Sequence, residues 1–113
     1  MKTGIVITFY NKEKNIDLDQ MELFLNSCNN IQVCFVNNGS TDNTIDTLEQ
    51  ISEKFPEIVS VVNIKNNKGE ESALKVGFRY LLNKNKLAQV SYFNRLNFKE
   101  LNLITEFSPK MFR

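Results

Sequence analysis

A chain of 113 residues is enough for one compact domain around one hydrophobic core. Its balance of 42% hydrophobic and 24% charged residues is that of a globular protein. A net charge of +1 excludes a bulk electrostatic case for nucleic acid or an anionic membrane, and no apolar run is long enough to span a bilayer.

The first element is a short β-branched run, Ile5 to Phe9, which reads as a strand. Met1-Lys2-Thr3-Gly4 leads straight into it, without the longer apolar segment of a signal peptide, so the expected location is cytoplasmic. Asn15, Asp17 and Asp19 offer helix caps, and Met21, Phe24, Leu25 and Cys28 recur at helical spacing. A first helix is therefore predicted from about Asp17 to Cys28, ended by Asn29-Asn30. Gln32 to Val36 is the second strand. Ser40 or Thr41 is the expected cap of the second helix, with Asp42 favouring its positive end. Ile45, Leu48, Ile51 and Phe55 form that helix's buried stripe, and Pro56 stops it.

Val59 to Ile64 is the third strand, followed by a turn at Asn66-Asn67-Lys68-Gly69. Ala73, Leu74, Gly77, Phe78 and Leu81 form the apolar face of a third helix. Its small residues, Ala73 and Gly77, lie one turn apart and let it approach a sheet closely. Asn83 to Lys86 is a solvated loop and Leu87 to Phe93 a fourth strand. A last helix is expected from about Phe98 to Phe107, with Pro109 after it. Strands alternating with helices predict βαβ units, a mostly parallel sheet and a three-layer, Rossmann-like α/β fold. No internal repeat or linker divides residues 1–113, which are expected to form a single domain.

The strands of such a sheet all end at one edge, where ligands of open α/β folds bind. Four segments fall there: Thr8-Phe9-Tyr10-Asn11, Asn37-Asn38-Gly39-Ser40, Asn66-Asn67-Lys68-Gly69 and Asn94-Arg95-Leu96-Asn97. Tyr10 can stack on a base. The Asn amides offer donors and acceptors, and the helix starts after Ser40 and Gly69 suit phosphate. The same residue types also make ordinary turns, so this chemistry alone leaves a turn-only reading open. The chain has no histidine, which excludes a Ser-His-Asp triad, a Cys-His pair and a His-bearing zinc site. Its two cysteines, Cys28 and Cys34, lack metal-ligand spacing and read as buried thiols.

Three segments carry a family resemblance. Ile5-Val6-Ile7-Thr8-Phe9-Tyr10-Asn11-Lys12-Glu13 resembles an opening strand with a "P-x-Y-N-E-E" loop. Phe35-Val36-Asn37-Asn38-Gly39-Ser40-Thr41-Asp42-Asn43-Thr44 resembles "V-V-D-D-G-S-T-D-x-T". Asn66 to Gly77 resembles "x-N-x-G-x-x-x-A-x-x-x-G". In this order they resemble the N-terminal, nucleotide-binding half of GT-A glycosyltransferases of family 2, with the dolichol-phosphate-mannose-synthase-like branch the most similar. The resemblance implies a nucleotide-diphospho-sugar transferase type of fold, truncated to that half, and a UDP- or GDP-sugar ligand. It implies nucleotide-binding roles for Thr8, Tyr10, Asn11, Asn37, Asn38, Asn67 and Gly69. Tyr10 would contact the base, and Asn38 or Asn37 would replace the carboxylate that reads it. Lys75 and Arg79 lie on the third helix within approach of phosphate, but are read as solvent-facing cations.

The chain also departs from the family. Family members hold Mn²⁺ or Mg²⁺ with a D-x-D motif after the fourth strand, where the corresponding segment of this chain is Tyr92-Phe93-Asn94-Arg95-Leu96-Asn97. No Asp follows Asp46. Hard divalent cations want carboxylate oxygen, so neither metal ligands nor catalytic residues are assigned. Glu100 and Glu106 are read as solvent-facing. Arg95 offers a direct pair to a diphosphate, but is read as solvent-facing as well. The expected function is a degenerate nucleotide-sugar-binding domain that does not transfer sugar alone. The alternatives are a non-catalytic interaction or regulatory domain acting as a homodimer, or one half of a split glycosyltransferase. The apolar tail, Phe107 to Phe112, and an uncovered sheet edge motivate the homodimer. A receiver-type domain is disfavoured, because Thr8-Phe9-Tyr10 stands where its acidic cluster would be.

Overall fold

The computed structural model describes residues 2–84 and 87–93. The chain runs β1 (Lys2–Phe9), a single 3-10 turn (Glu13–Asn15), α1 (Leu18–Ser27), β2 (Ile31–Asn38), α2 (Thr44–Lys54), β3 (Val59–Ile64), α3 (Glu70–Lys84) and β4 (Leu87–Phe93). β3 and β4 have the predicted bounds. β1 and β2 are longer than their apolar runs, because backbone pairing carries them into polar residues. Thr3 pairs with Ile31, and Asn37 and Asn38 pair with Asn63 and Ile64. The predicted last helix, the segment from Asn94 to Asn97 and the apolar tail lie outside the described residues.

All the strand pairs are parallel, in the order β3-β2-β1-β4. The chain steps from β1 outward to β3, then returns to the far side of β1 for β4. Strand order therefore reverses at β1, which makes the end of that strand the crevice position of an open α/β sheet.

Alternation along the strands builds a core on each face. Ile5, Ile7, Phe9, Val33 and Phe35 pack with Met21, Phe24 and Leu25 of α1 and Leu48 and Ile51 of α2. Val6, Cys34 and Val36 turn the other way, against Ala73 and Leu81 of α3. Phe9 and Phe35 meet edge to face, with ring centroids 5.3 Å apart. Such a pair adds about 1 kcal/mol beyond its buried area. The predicted close approach of α3 is present at Gly77. A Cβ there would stand 2.5 Å from Val6 Cγ1 and 2.9 Å from Val36 Cγ2.

Local chemistry sets α1. The Asp17 carboxylate accepts the Gln20 N–H at 3.1 Å, so the predicted cap is in place. Cys34 is buried, as expected, whereas Cys28 at the end of α1 is only half-buried, and both thiols are free. Burial pushes Cys28 up to about 11 and Cys34 up to about 12, so neither forms thiolate at neutral pH. Among the described residues, no helix is long and apolar enough to cross a membrane.

Candidate functional site

β2 ends in two consecutive amides, and the pleat sends them to opposite faces of the sheet. Asn37 turns toward the face of α1 and α2. Its Nδ2 donates to Asn63 Oδ1 at 2.8 Å, and its Oδ1 accepts the Ser40 hydroxyl at 2.5 Å. Ser40 Oγ in turn accepts the Asn11 N–H at 2.9 Å. Asn11 has a φ of 51°, a left-handed conformation that Asn tolerates. There its Oδ1 accepts the Thr41 N–H at 2.7 Å.

The same seam continues outward. Lys12 N–H donates to Thr44 Oγ1 at 2.9 Å, Glu13 N–H to Asp42 Oδ2 at 3.3 Å, and Asn43 N–H to Glu13 Oε1 at 3.2 Å. This seam explains a difference from the predicted start of α2. The helix begins at Thr44, so neither Ser40 nor Thr41 caps it, and Asn43 makes no cap bond with its own side chain. Glu13 satisfies the Asn43 N–H instead, and Asp42 Oδ1 accepts the Thr44 N–H at 2.9 Å and the Thr44 hydroxyl. Asp42 thus sits at the positive end, as expected. Burial raises its carboxyl, but the bonds from Thr44 and Glu13 outweigh that and hold it below the usual value.

Asn38 faces α3. Its Oδ1 accepts the Lys68 N–H at 3.0 Å, and its Nδ2 donates to the Gly69 carbonyl at 3.3 Å. One amide thus holds the turn that starts α3 by both its functions. Asn67 Oδ1 tightens the same turn by accepting the Gly69 N–H at 2.8 Å. Beside it, the Thr8 hydroxyl donates to Glu70 Oε1 at 2.5 Å. Gly39 lies between the two amide networks with a φ of 70°. A Cβ there would be 2.2 Å from the backbone nitrogen of Asn67, so the loops after β2 and β3 touch backbone to backbone.

Six of the seven predicted residues thus fall into two groups. Asn11 and Asn37 meet through Ser40, and Thr8, Asn38, Asn67 and Gly69 gather at the start of α3. Thr8, Asn37 and Asn38 are buried, whereas Tyr10 is 47% exposed on the loop after β1. Asn63, Thr44 and Glu70 were missed by sequence reasoning. Asn63 carried no local signal, since it meets Asn37 only through the parallel register. The motif spacing of the Asn66 to Gly77 segment did place Glu70 beside Gly69. Lys75 and Arg79 are exposed, and Lys75 lies 3.7 Å from Glu71 one turn away.

A cavity of about 290 Å³ lies elsewhere, between Leu18 and Glu22 of α1 and Gln50, Ile51, Lys54 and Phe55 at the end of α2. None of the strand-end residues lines it. Among the described residues, no group of three or more His, Cys, Asp or Glu side chains could hold a metal ion. The donors gathered at the strand ends are mostly amides and hydroxyls, a poor set for a hard divalent cation.

Residues 4–84 match the family model described as glycosyl transferase family 2. The chain belongs to glycosyltransferase family 2. Its relatives include a glycosyltransferase of Haemophilus influenzae, 30% identical over 74 residues that make up 66% of this chain and 23% of that protein. Another, from Nostoc, is 27% identical over 78 residues, 69% of this chain and 24% of that protein. This family 2 chain therefore spans about a quarter of the length of the curated relatives it matches.

Solved structures share the fold. The TarS 1-349 fragment of S. aureus in complex with UDP-GlcNAc has a TM-score of 0.61 at 22% identity, over 90% of this chain and 29% of that one. A mannosyltransferase of Pyrobaculum calidifontis in complex with GDP-Man and Mn²⁺ has a TM-score of 0.55 at 19% identity, over 71% and 24%. The family 2 fold is thus the expected GT-A, Rossmann-like α/β architecture.

Proposed function

We propose that residues 1–113 are a single nucleotide-sugar-binding domain that takes a UDP- or GDP-sugar at the carboxyl edge of its sheet and does not transfer sugar by itself. The observation that carries this reading is the convergence of the three motif segments at that edge, in a family 2 chain whose structural neighbours include complexes with GDP-Man and UDP-GlcNAc. Tyr10 is the group available to stack on a base, since its ring is half exposed beside the end of β1. Asn11, Asn67 and Gly69 line the accessible rim. Thr8, Asn37 and Asn38 shape the floor and hold the loops.

The lack of transfer follows from the donor set. Metal-assisted displacement needs carboxylates for the cation and a base for the acceptor hydroxyl. The chain has no histidine and no Asp after Asp46. Two free thiols suit a reducing compartment, and we assign the domain to the cytoplasm.

Calorimetric titration with UDP, GDP and their sugar conjugates, with and without Mn²⁺, tests the site. Metal-independent binding is the expected result. Binding that requires Mn²⁺ would overturn the reading of the donor set, and silence at millimolar ligand would overturn the nucleotide site. Release of nucleoside diphosphate from the sugar conjugates by the chain alone would overturn the non-catalytic reading.

The second reading, an interaction domain acting as a homodimer, is favoured by β4. Among the described residues it is an edge strand, with Tyr92 52% exposed and Leu82 of the neighbouring α3 58% exposed. Tyr92 rests edge to face on Phe78, 6.0 Å between centroids. An edge strand with an aromatic patch is suited to a symmetric partner. Sedimentation showing only monomer at high concentration would remove this reading.

A further inference from the structure

We propose that Glu70 is the nucleoside-reading acceptor of the strand-end site, taking a hydrogen bond from a base N–H or a ribose hydroxyl. The inference rests on the nucleotide reading above and deepens it. A nucleoside presents N–H and O–H donors, so its site needs acceptors that the protein has not already occupied. Each amide oxygen of the strand ends already accepts a protein hydrogen bond and, being neutral, is a weaker acceptor for a further one than a carboxylate. Asn11 accepts from Thr41, Asn37 from Ser40, Asn38 from Lys68, and Asn67 from Gly69.

The neighbouring carboxylates are tied to other elements or face solvent. Asp42 uses both oxygens on Thr44 and Glu13, Glu13 accepts the Asn43 N–H through one oxygen at the start of α2, and Glu71 is exposed on α3, 3.7 Å from Lys75. Glu70 is the carboxylate held against the end of β1. Oε1 accepts the Thr8 hydroxyl, and no other hydrogen bond to this carboxylate occurs among the described residues. An ionised carboxylate has about four lone-pair sites, so most of its accepting capacity remains.

Position and chemistry agree. Thr8 is at the end of β1, where strand order reverses, and its hydroxyl is buried, so it fixes one oxygen of Glu70 and leaves the other free. Glu70 itself is exposed in the first turn of α3, so solvent reaches it. A carboxylate repels a diphosphate, so the end of the ligand that it suits is the nucleoside.

The test is titration of the wild type, Glu70→Gln and Glu71→Gln with uridine, guanosine, UDP and GDP, without metal and then with Mn²⁺. Gln keeps the size of Glu and an acceptor for Thr8, and thermal melts confirm that each variant is folded. The expected result is that Glu70→Gln weakens the preferred nucleoside and its diphosphate by the same factor, roughly tenfold, the typical weight of a charge-assisted hydrogen bond. Glu71→Gln should leave both unchanged. Unchanged or tighter binding by Glu70→Gln, or a loss confined to the diphosphate with Mn²⁺, would overturn the role of Glu70 while leaving the nucleotide site standing. A wild type silent to every ligand would instead overturn the nucleotide reading itself.

Discussion

Asn37 and Asn38 are neighbours in the chain with the same side chain, yet they do different work. Asn37 joins a network that crosses from β3 through the loop after β2 to the loop after β1, by way of Asn63, Ser40 and Asn11. The two groups that bond Asn37 directly, the Asn63 amide and the Ser40 hydroxyl, can exchange donor for acceptor. Asn38 closes a single turn, and both of its partners are backbone groups whose roles cannot change. The difference teaches that a buried amide can be structural in two ways, as a replaceable member of a side-chain relay or as an irreplaceable double cap of a turn.

The strongest way to break the comparison is to remove what both networks share. Gly39→Ala introduces a Cβ 2.2 Å from the backbone of Asn67 at a φ of 70°. Neither backbone can yield, so the expected loss is on the order of 3 kcal/mol or more, from strain and overpacking together. Urea unfolding would register it as a lower midpoint with an unchanged slope.

Next comes Asn38→Asp. The new carboxylate keeps the Lys68 N–H, but sets an oxygen against the Gly69 carbonyl where Nδ2 donated at 3.3 Å. A loss of about 1–3 kcal/mol is expected, the cost of an unsatisfied buried group. It should show as a lower melting temperature at pH 7 that recovers partly in acid, where the carboxyl is protonated and donates again.

Asn37→Asp sharpens the contrast by costing less. Asn63 is exposed and can turn its amide to donate, while the Ser40 hydroxyl gains a charged acceptor. The expected change is within about 1 kcal/mol, below that of Asn38→Asp, in parallel melts of the two variants. Equal losses would show that the two amides are equivalent after all.

The smallest effect belongs to Asp42→Asn at the rim of the Asn37 network. The Asp42 carboxyl is held below its ordinary value, so its stabilisation is present above the unfolded-state value, about 3.9, and is lost as pH falls through the folded one. The wild type should be slightly more stable at pH 7, and the gap should close below about pH 4. Melting temperatures of both proteins across that range check the sign.

What was legible in the sequence was what depends on near neighbours. Helical and strand periodicity revealed the alternating elements, Asp17 announced the start of α1, and Ala73 and Gly77 marked the face of α3 that meets the sheet. The start of α2 was misread because its acceptor, Glu13, comes from a loop some thirty residues upstream, as a separation of 30 between Asn43 and Glu13 shows. The strand-end segments do lie along one edge of the sheet, but the division of their side chains between its two faces was not foreseen.

By itself, then, the sequence determined the α/β class, the order of the main elements, most of the apolar face of each helix and the polar character of the carboxyl edge. All of these follow from contacts within a few residues along the chain. Only the tertiary structure decided that Asn37 answers to Asn63, that Asn38 answers to the turn before α3, and that Thr8 holds Glu70. Those partners are 26 to 62 residues apart. They meet because strand order and parallel register bring them together, and no local propensity encodes either one.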